Sequence, residues 1–193
     1  MYIDRILYPI ETLGPGKRLV IWVRGCSKHC KGCANPELWD ISNSKYFPVE
    51  DIAQIIRNIY ADSPFGGITI SGGDPLEQKE ELLLLLDEIS KITDDVLLYT
   101  GYTYQEVCAL LTKEELMALM GKLSVLIDGP YVEKLNTKDA VLRGSSNQQI
   151  IYCSDKYREK YEEYLLAGRK IQNVYMGNQL ISVGIHNRKE QET

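Results

Sequence analysis

The sequence predicts an α/β fold, with parallel strands joined by right-handed helical crossovers, and three observations carry that expectation. Short runs of apolar and β-branched residues alternate along the chain with longer segments of helical periodicity. Glycine follows closely on most of these runs, so candidate functional loops gather where strands end. No internal repeat or low-complexity linker interrupts the pattern, and 193 residues suffice for one buried core. The expectation is a single domain over 1–193, with 153–193 as a candidate C-terminal extension.

The first run, Leu19-Val20-Ile21-Trp22-Val23, is continuous rather than alternating, which predicts a strand buried on both faces and ending at Arg24-Gly25. Val49, Ile52, Ile55, Ile56 and Ile59 recur at helical spacing. Gly66-Gly67 then leads into a strand, Ile68-Thr69-Ile70, which delivers Ser71-Gly72-Gly73-Asp74-Pro75. Asp74-Pro75 is a helix start signal, and Glu77 to Lys91, with five successive leucines flanked by charge, predicts a buried helix.

Val96 to Thr100 is a further strand, and a helical stretch from Tyr104 to Met120, broken near Thr112, leads to Ser124-Val125-Leu126-Ile127-Asp128. Beyond Gly129-Pro130 the pattern loosens. Gln149 to Tyr152 and Asn173 to Met176 are expected as strands around a helix from Asp155 to Ala167, and the polar end from Asn187 to Thr193 is expected to fray.

Composition narrows the function. A formal net charge of −5 argues against nucleic acid as the main partner, since neutralising phosphates takes clustered Lys and Arg. No apolar stretch is long enough to cross a bilayer, and the opening Met1-Tyr2-Ile3-Asp4-Arg5 lacks a basic head and apolar run, so the expected location is the cytoplasm, without membrane attachment. Five cysteines are an odd number, and three lie within eight residues, so a metal or redox centre explains them better than a disulfide framework does.

That centre is Cys26-Ser27-Lys28-His29-Cys30-Lys31-Gly32-Cys33, a CxxxCxxC loop directly after the first strand. Soft thiolates suit iron-sulfur clusters or zinc. A four-iron cube held by three cysteines keeps one iron open for a substrate. A zinc site would need His29 or a distant cysteine as its fourth ligand, and only one short knuckle is present where structural zinc usually pairs two. Cys108 lies on an apolar stripe and Cys153 ends a strand, so both are read as buried small residues. With two histidines in the chain, His186 has no partner legible in sequence.

From about Leu13 to Gln148 the sequence resembles the radical S-adenosylmethionine superfamily, and more narrowly the activating proteins of anaerobic ribonucleotide reductases. The resemblance rests on Gly14-Pro15-Gly16, the CxxxCxxC loop, Ser71-Gly72-Gly73-Asp74-Pro75-Leu76, Tyr99-Thr100-Gly101-Tyr102, Asp128-Gly129-Pro130-Tyr131 and Arg143-Gly144-Ser145-Ser146-Asn147-Gln148, in that order and spacing. It implies an open, partial parallel βα barrel. It also implies a [4Fe-4S] cluster on Cys26, Cys30 and Cys33 that cleaves S-adenosylmethionine reductively to a 5'-deoxyadenosyl radical.

On that resemblance Ser71, Gly72, Gly73 and Asp74 hold the methionine ammonium of the cofactor, with a helix cap as the alternative for Asp74. Thr100 would contact ribose or carboxylate, Asp128 a monovalent cation, and Arg143 the cofactor carboxylate, while a turn, an Asx-turn and a polar loop are their respective alternatives. The implied substrate is a glycyl radical enzyme, and the implied electron donor is reduced flavodoxin or ferredoxin. A small-molecule radical enzyme such as a 7-carboxy-7-deazaguanine synthase remains an alternative, disfavoured by the Arg143–Gln148 segment. An iron-sulfur electron carrier is the other, disfavoured because a carrier completes its cluster with four protein ligands.

Overall fold

The computed structural model describes residues 1–187, so the end expected to fray lies outside the described residues save for Asn187. Eight strands and five helices follow in order: β1 (Ile3–Ile10), β2 (Arg18–Val23), α1 (Val49–Asp62), β3 (Gly67–Gly72), α2 (Lys79–Ile89), β4 (Val96–Tyr99), α3 (Tyr104–Leu110), α4 (Lys113–Met120), β5 (Val125–Asp128), β6 (Gln149–Tyr152), α5 (Arg158–Leu166), β7 (Ile171–Met176) and β8 (Gln179–Gly184). The first six strands form one open sheet in the order β1-β2-β3-β4-β5-β6, and β7 and β8 pair as a separate hairpin.

The expected all-parallel sheet needs correction at both edges. β2 through β5 are parallel, but β1 and β6 run antiparallel to their neighbours. The reason lies in the connections. β2–β3, β3–β4 and β4–β5 are each joined through helices, as a parallel return requires, whereas the only helical turn between β5 and β6 is Glu133–Leu135. β1 is absent from the sequence reading because charged Asp4 and Arg5 and a proline at position 9 blur its pattern, as suits an edge strand.

The two faces of the sheet are covered by different parts of the chain. Leu19, Ile21 and Val23 of β2 point to α1 and α2, while Val20 and Trp22 point the other way, which is why the run is continuously apolar. The helical face buries Ile52 and Ile56 of α1, Leu82, Leu85, Leu86 and Ile89 of α2, Val107 of α3 and Leu119 of α4. Fully burying each such side chain contributes about 1.5–3 kcal/mol. The leucine run is therefore buried along one stripe only, and Leu84 on its outer side is 56% exposed. The opposite face is covered from the C-terminal segment, with Tyr161 and Tyr164 of α5 against Leu97, Val125 and Ile127, and Val183 of β8 against Val20 and Trp22.

The helical stretch after β4 breaks where expected, and the sequence shows how. Thr103 and Thr112 each accept a hydrogen bond from the backbone of a glutamate three residues on, Glu106 and Glu115, whose carboxylates reach back to the threonine amides. Two capping boxes in succession make two helices of what would be one. Among the described residues no helix is long and apolar enough to cross a membrane.

At the end of the sheet where the parallel strands begin, Arg18 and Asp95 form an ion pair with both side chains wholly buried. Arg18 donates to Asp95 at 3.0 Å, to Thr69 Oγ1 at 2.7 Å and to the Ile68 carbonyl at 2.6 Å. Asp95 also accepts from Ser124 Oγ, Tyr161 Oη and Lys160 Nζ. This network ties β2, β3, β4 and α5 together and leaves the other end of the sheet to the functional loops.

Candidate metal centre

At that other end, β2 runs into the cysteine loop. Gly25, in the left-handed region at φ +91°, turns the chain, and the backbone amides of Gly25 and Cys26 donate to the carbonyls of Leu38 and Trp39 on the returning segment. The Cys33 amide donates to the Cys30 carbonyl at 3.1 Å, closing the loop on itself. Cys26, Cys30 and Cys33 are free, partly exposed thiols, and all three line a single cleft of about 690 Å³.

The loop is clamped from outside. Glu77, just after the β3 end, accepts from the amide and hydroxyl of Ser27 and from Tyr102 Oη at 2.9 Å. Lys28 pairs with Glu106 of α3 at 3.0 Å and sits over the Tyr102 ring. Glu77 carries no signal in the sequence that would single it out, Tyr102 stands there only as part of Tyr99-Thr100-Gly101-Tyr102 and Glu106 only as the end of a capping box; the fold brings all three to residues 27 and 28.

Ser71, Gly72, Gly73 and Asp74 line the same cleft, as do Thr100 and Gly101. The two glycines answer a packing need: a Cβ on Gly72, whose φ is +118°, would lie 2.3 Å from the Val23 backbone, and one on Gly73 would lie 2.3 Å from the Gly25 carbonyl. Through that close approach the Gly73 amide donates to the Val23 carbonyl and the Asp74 amide to the Gly25 carbonyl, which welds the β3 end to the root of the cysteine loop. Gly73→Ala is expected to lower the unfolding free energy by about 1–3 kcal/mol and to reduce iron incorporation, read by urea unfolding and iron analysis. An unchanged midpoint would show that the loop yields without cost.

The Asp74 carboxylate is fully buried and caps the turn that follows, accepting from the Leu76 amide at 3.1 Å. It also accepts from Thr100 Oγ1 at 2.9 Å and the Gly101 amide at 2.7 Å, joining the ends of β3 and β4. Burial pushes its pKa up to about 6, against the pull of these three donors.

Asp128 and Arg143 do not line the cleft. Asp128 is 2% exposed and accepts from the Tyr104 and Gln149 amides, fixing α3 and β6 to the end of β5. Arg143 donates to the Gln148 carbonyl. The segment around it is a brace: Gln148 accepts from Gly144 and donates to Gly129, Ser145 accepts from Val132, and Asn147 donates to Pro130.

A closed zinc site finds no fourth ligand among the residues proposed for it. The His29 ring packs on Trp39 with centroids 4.7 Å apart, Cys108 lies exposed on the outer side of the short helix α3 rather than buried as its apolar stripe suggested, and burial pushes the Cys153 thiol up to about 11. Three thiols on one short loop, opening into a cleft large enough for a small molecule, fit a cluster with one open corner. Fold and site thus define an α/β protein that gathers three cysteines, a donor set suited to an iron-sulfur cluster, at a cleft on the carboxyl ends of parallel strands.

Comparison with known proteins agrees. The family model described as a 4Fe-4S single cluster domain matches residues 12–151. The chain is 33% identical over 155 residues to the anaerobic ribonucleoside-triphosphate reductase-activating protein of Enterobacteria phage T4, covering 78% of this chain and 93% of that one. The proteins of the same name from Escherichia coli K12 and Haemophilus influenzae are 33% and 34% identical over 150 residues each, covering 74% of this chain and 94% and 93% of theirs. The chain belongs to the family of anaerobic ribonucleoside-triphosphate reductase-activating proteins.

Proposed function

We propose that this protein is a radical S-adenosylmethionine enzyme which installs a glycyl radical on a partner, an anaerobic ribonucleotide reductase. The observation that carries the reading is that the three thiols of one loop and the Ser71–Asp74 strand end open into one cleft. Cluster and cofactor, when bound, supply one-electron cleavage of a sulfonium to a 5'-deoxyadenosyl radical able to take a hydrogen atom from a glycine Cα. The chain's own residues hold, orient and shield these groups.

Cys26, Cys30 and Cys33 would hold the [4Fe-4S] cube and leave one iron to the amino and carboxylate groups of S-adenosylmethionine. Asp74, beside Ser71, offers a hydrogen-bond acceptor for the amino group of the cofactor. Thr100 and Gly101 hold that carboxylate in place. Asp128 and Arg143, outside the cleft, have no part in this reading, and neither does a monovalent cation. The names of the relatives make the reductase the partner. The electron comes from reduced flavodoxin or ferredoxin, and the setting is the cytoplasm.

Anaerobically reconstituted and reduced, the protein should convert S-adenosylmethionine to methionine and 5'-deoxyadenosine. Asp74→Asn keeps an acceptor for Leu76 and loses the charge. It should retain iron and sulfide yet bind S-adenosylmethionine about 1.5–3 kcal/mol more weakly, measured by perturbation of the reduced cluster's electron paramagnetic resonance. Unchanged affinity in the folded variant would leave Asp74 a pure strand-end clamp. No 5'-deoxyadenosine from the fully loaded wild type would remove the proposed function.

A further inference from the structure

The hairpin of β7 and β8 lies beyond the span that the family model matches, and it joins the two margins of the open sheet. On the β1 side, Gln172 donates to the Pro9 carbonyl at 2.8 Å and accepts from the Glu11 amide at 2.9 Å, while Thr12 Oγ1 donates to the Val183 carbonyl at 3.0 Å. On the far side, Arg169 reaches into the β5–β6 connection, donating to Asn136 Oδ1 at 2.6 Å and to the Arg143 carbonyl at 3.0 Å. The same guanidinium donates to the His186 carbonyl at 3.2 Å, and Asn136 Nδ2 donates there as well at 3.1 Å. The residues after β8 are thereby fastened across the cleft.

Alternation along β8 decides what this strap presents. Leu180 points outward and is 56% exposed, while Ile181 and Val183 point inward and, with Ile185, pack on the cluster that contains Leu13 and Trp22. All five of these inward residues line the cleft into which the cysteines open. One cleft therefore carries two chemistries: thiols and a carboxylate at the strand ends, and an apolar wall furnished largely by the C-terminal hairpin.

S-adenosylmethionine divides in the same way. Its methionine end carries an ammonium and a carboxylate, and its adenosyl end carries a flat purine whose faces gain by leaving water. We propose that the hairpin forms part of the cofactor site, with Ile181 and Ile185 seating the purine of the adenosyl group. This inference rests on the reading of the cleft as an S-adenosylmethionine site.

The test uses the full-length, cluster-loaded protein under anaerobic conditions and measures equilibrium binding of S-adenosylmethionine and of 5'-deoxyadenosine. The double variant Ile181→Ala/Ile185→Ala should keep its iron and sulfide and lose roughly tenfold in affinity for both ligands, since the lost contact is with the part they share. In the unaltered protein, 5'-deoxyadenosine should slow hydrogen exchange at backbone amides of residues 180–186, a readout that holds even if the double variant does not fold. Full affinity in the variant, a loss confined to S-adenosylmethionine, or no protection of the hairpin overturns the inference and leaves the cofactor reading standing. An unaltered loaded protein that binds neither ligand overturns both.

Discussion

Alanine at any one of Cys26, Cys30 or Cys33 is expected to abolish the cluster and every activity that depends on it. No other thiol lines the cleft to take the missing place, because Cys108 sits on the outer side of α3 and Cys153 at the end of β6. Wild-type protein reconstituted anaerobically should hold about four irons and about four sulfides per chain, the content of a single cube. Cys108→Ala and Cys153→Ala should match it, and the three loop variants should lose the charge-transfer absorption of the cluster. Stoichiometric zinc without sulfide in the wild type would contradict the assignment.

The second large effect lies at the opposite end of the sheet. Asp95→Ala should cost about 3–5 kcal/mol, because it leaves the guanidinium of Arg18 buried without its counter-charge. Against a typical total of about 5–15 kcal/mol, that is a large share of the stability of the fold. Burial alone would raise the pKa of Asp95, but Arg18, Tyr161 and Lys160 outweigh it and hold the carboxyl below its ordinary value. A depressed carboxylate binds fewer protons folded than unfolded, so its contribution is complete above the unfolded pKa of about 3.9 and is lost as pH falls through the folded value. Urea midpoints measured from pH 6 downward should therefore drop below about pH 4 in the wild type, and Asp95→Asn should lack that part of the acid dependence. A variant as stable as the wild type would show that the pair contributes nothing net.

How much of this was legible in the sequence depended on whether a feature was local. The cysteine loop, the five core strands from β2 to β6 and the helix break at Thr112 follow from short-range patterns, and each lies where those patterns put it. The direction of β6 did not follow, because antiparallel pairing is decided by the absence of a crossover helix rather than by the strand itself. No short-range pattern marks β8, since Gln179 to Gly184 is short, carries Leu180 on its outer side, and finds the partners of its inner side, Leu7, Val20 and Trp22, far away in sequence.

The site shows the same division. Gly72 and Gly73 stood out as glycines at a strand end, yet the close neighbour that demands them is the backbone of Val23 and Gly25. Glu77, which holds Ser27, looks like a surface residue until the loops meet.

The proposed radical transfer to a partner glycine is tested most directly by isotope transfer. The reduced, cluster-loaded protein is mixed anaerobically with S-adenosylmethionine and an anaerobic ribonucleotide reductase carrying deuterium at its glycine Cα positions. The account predicts a glycine-centred doublet in the electron paramagnetic resonance spectrum of the reductase and one deuterium in the 5'-deoxyadenosine released, since the glycine must come within contact distance of the adenosyl carbon that takes its hydrogen. Cofactor cleavage with no doublet and no deuterium in 5'-deoxyadenosine, while a small metabolite acquires the radical instead, would contradict it.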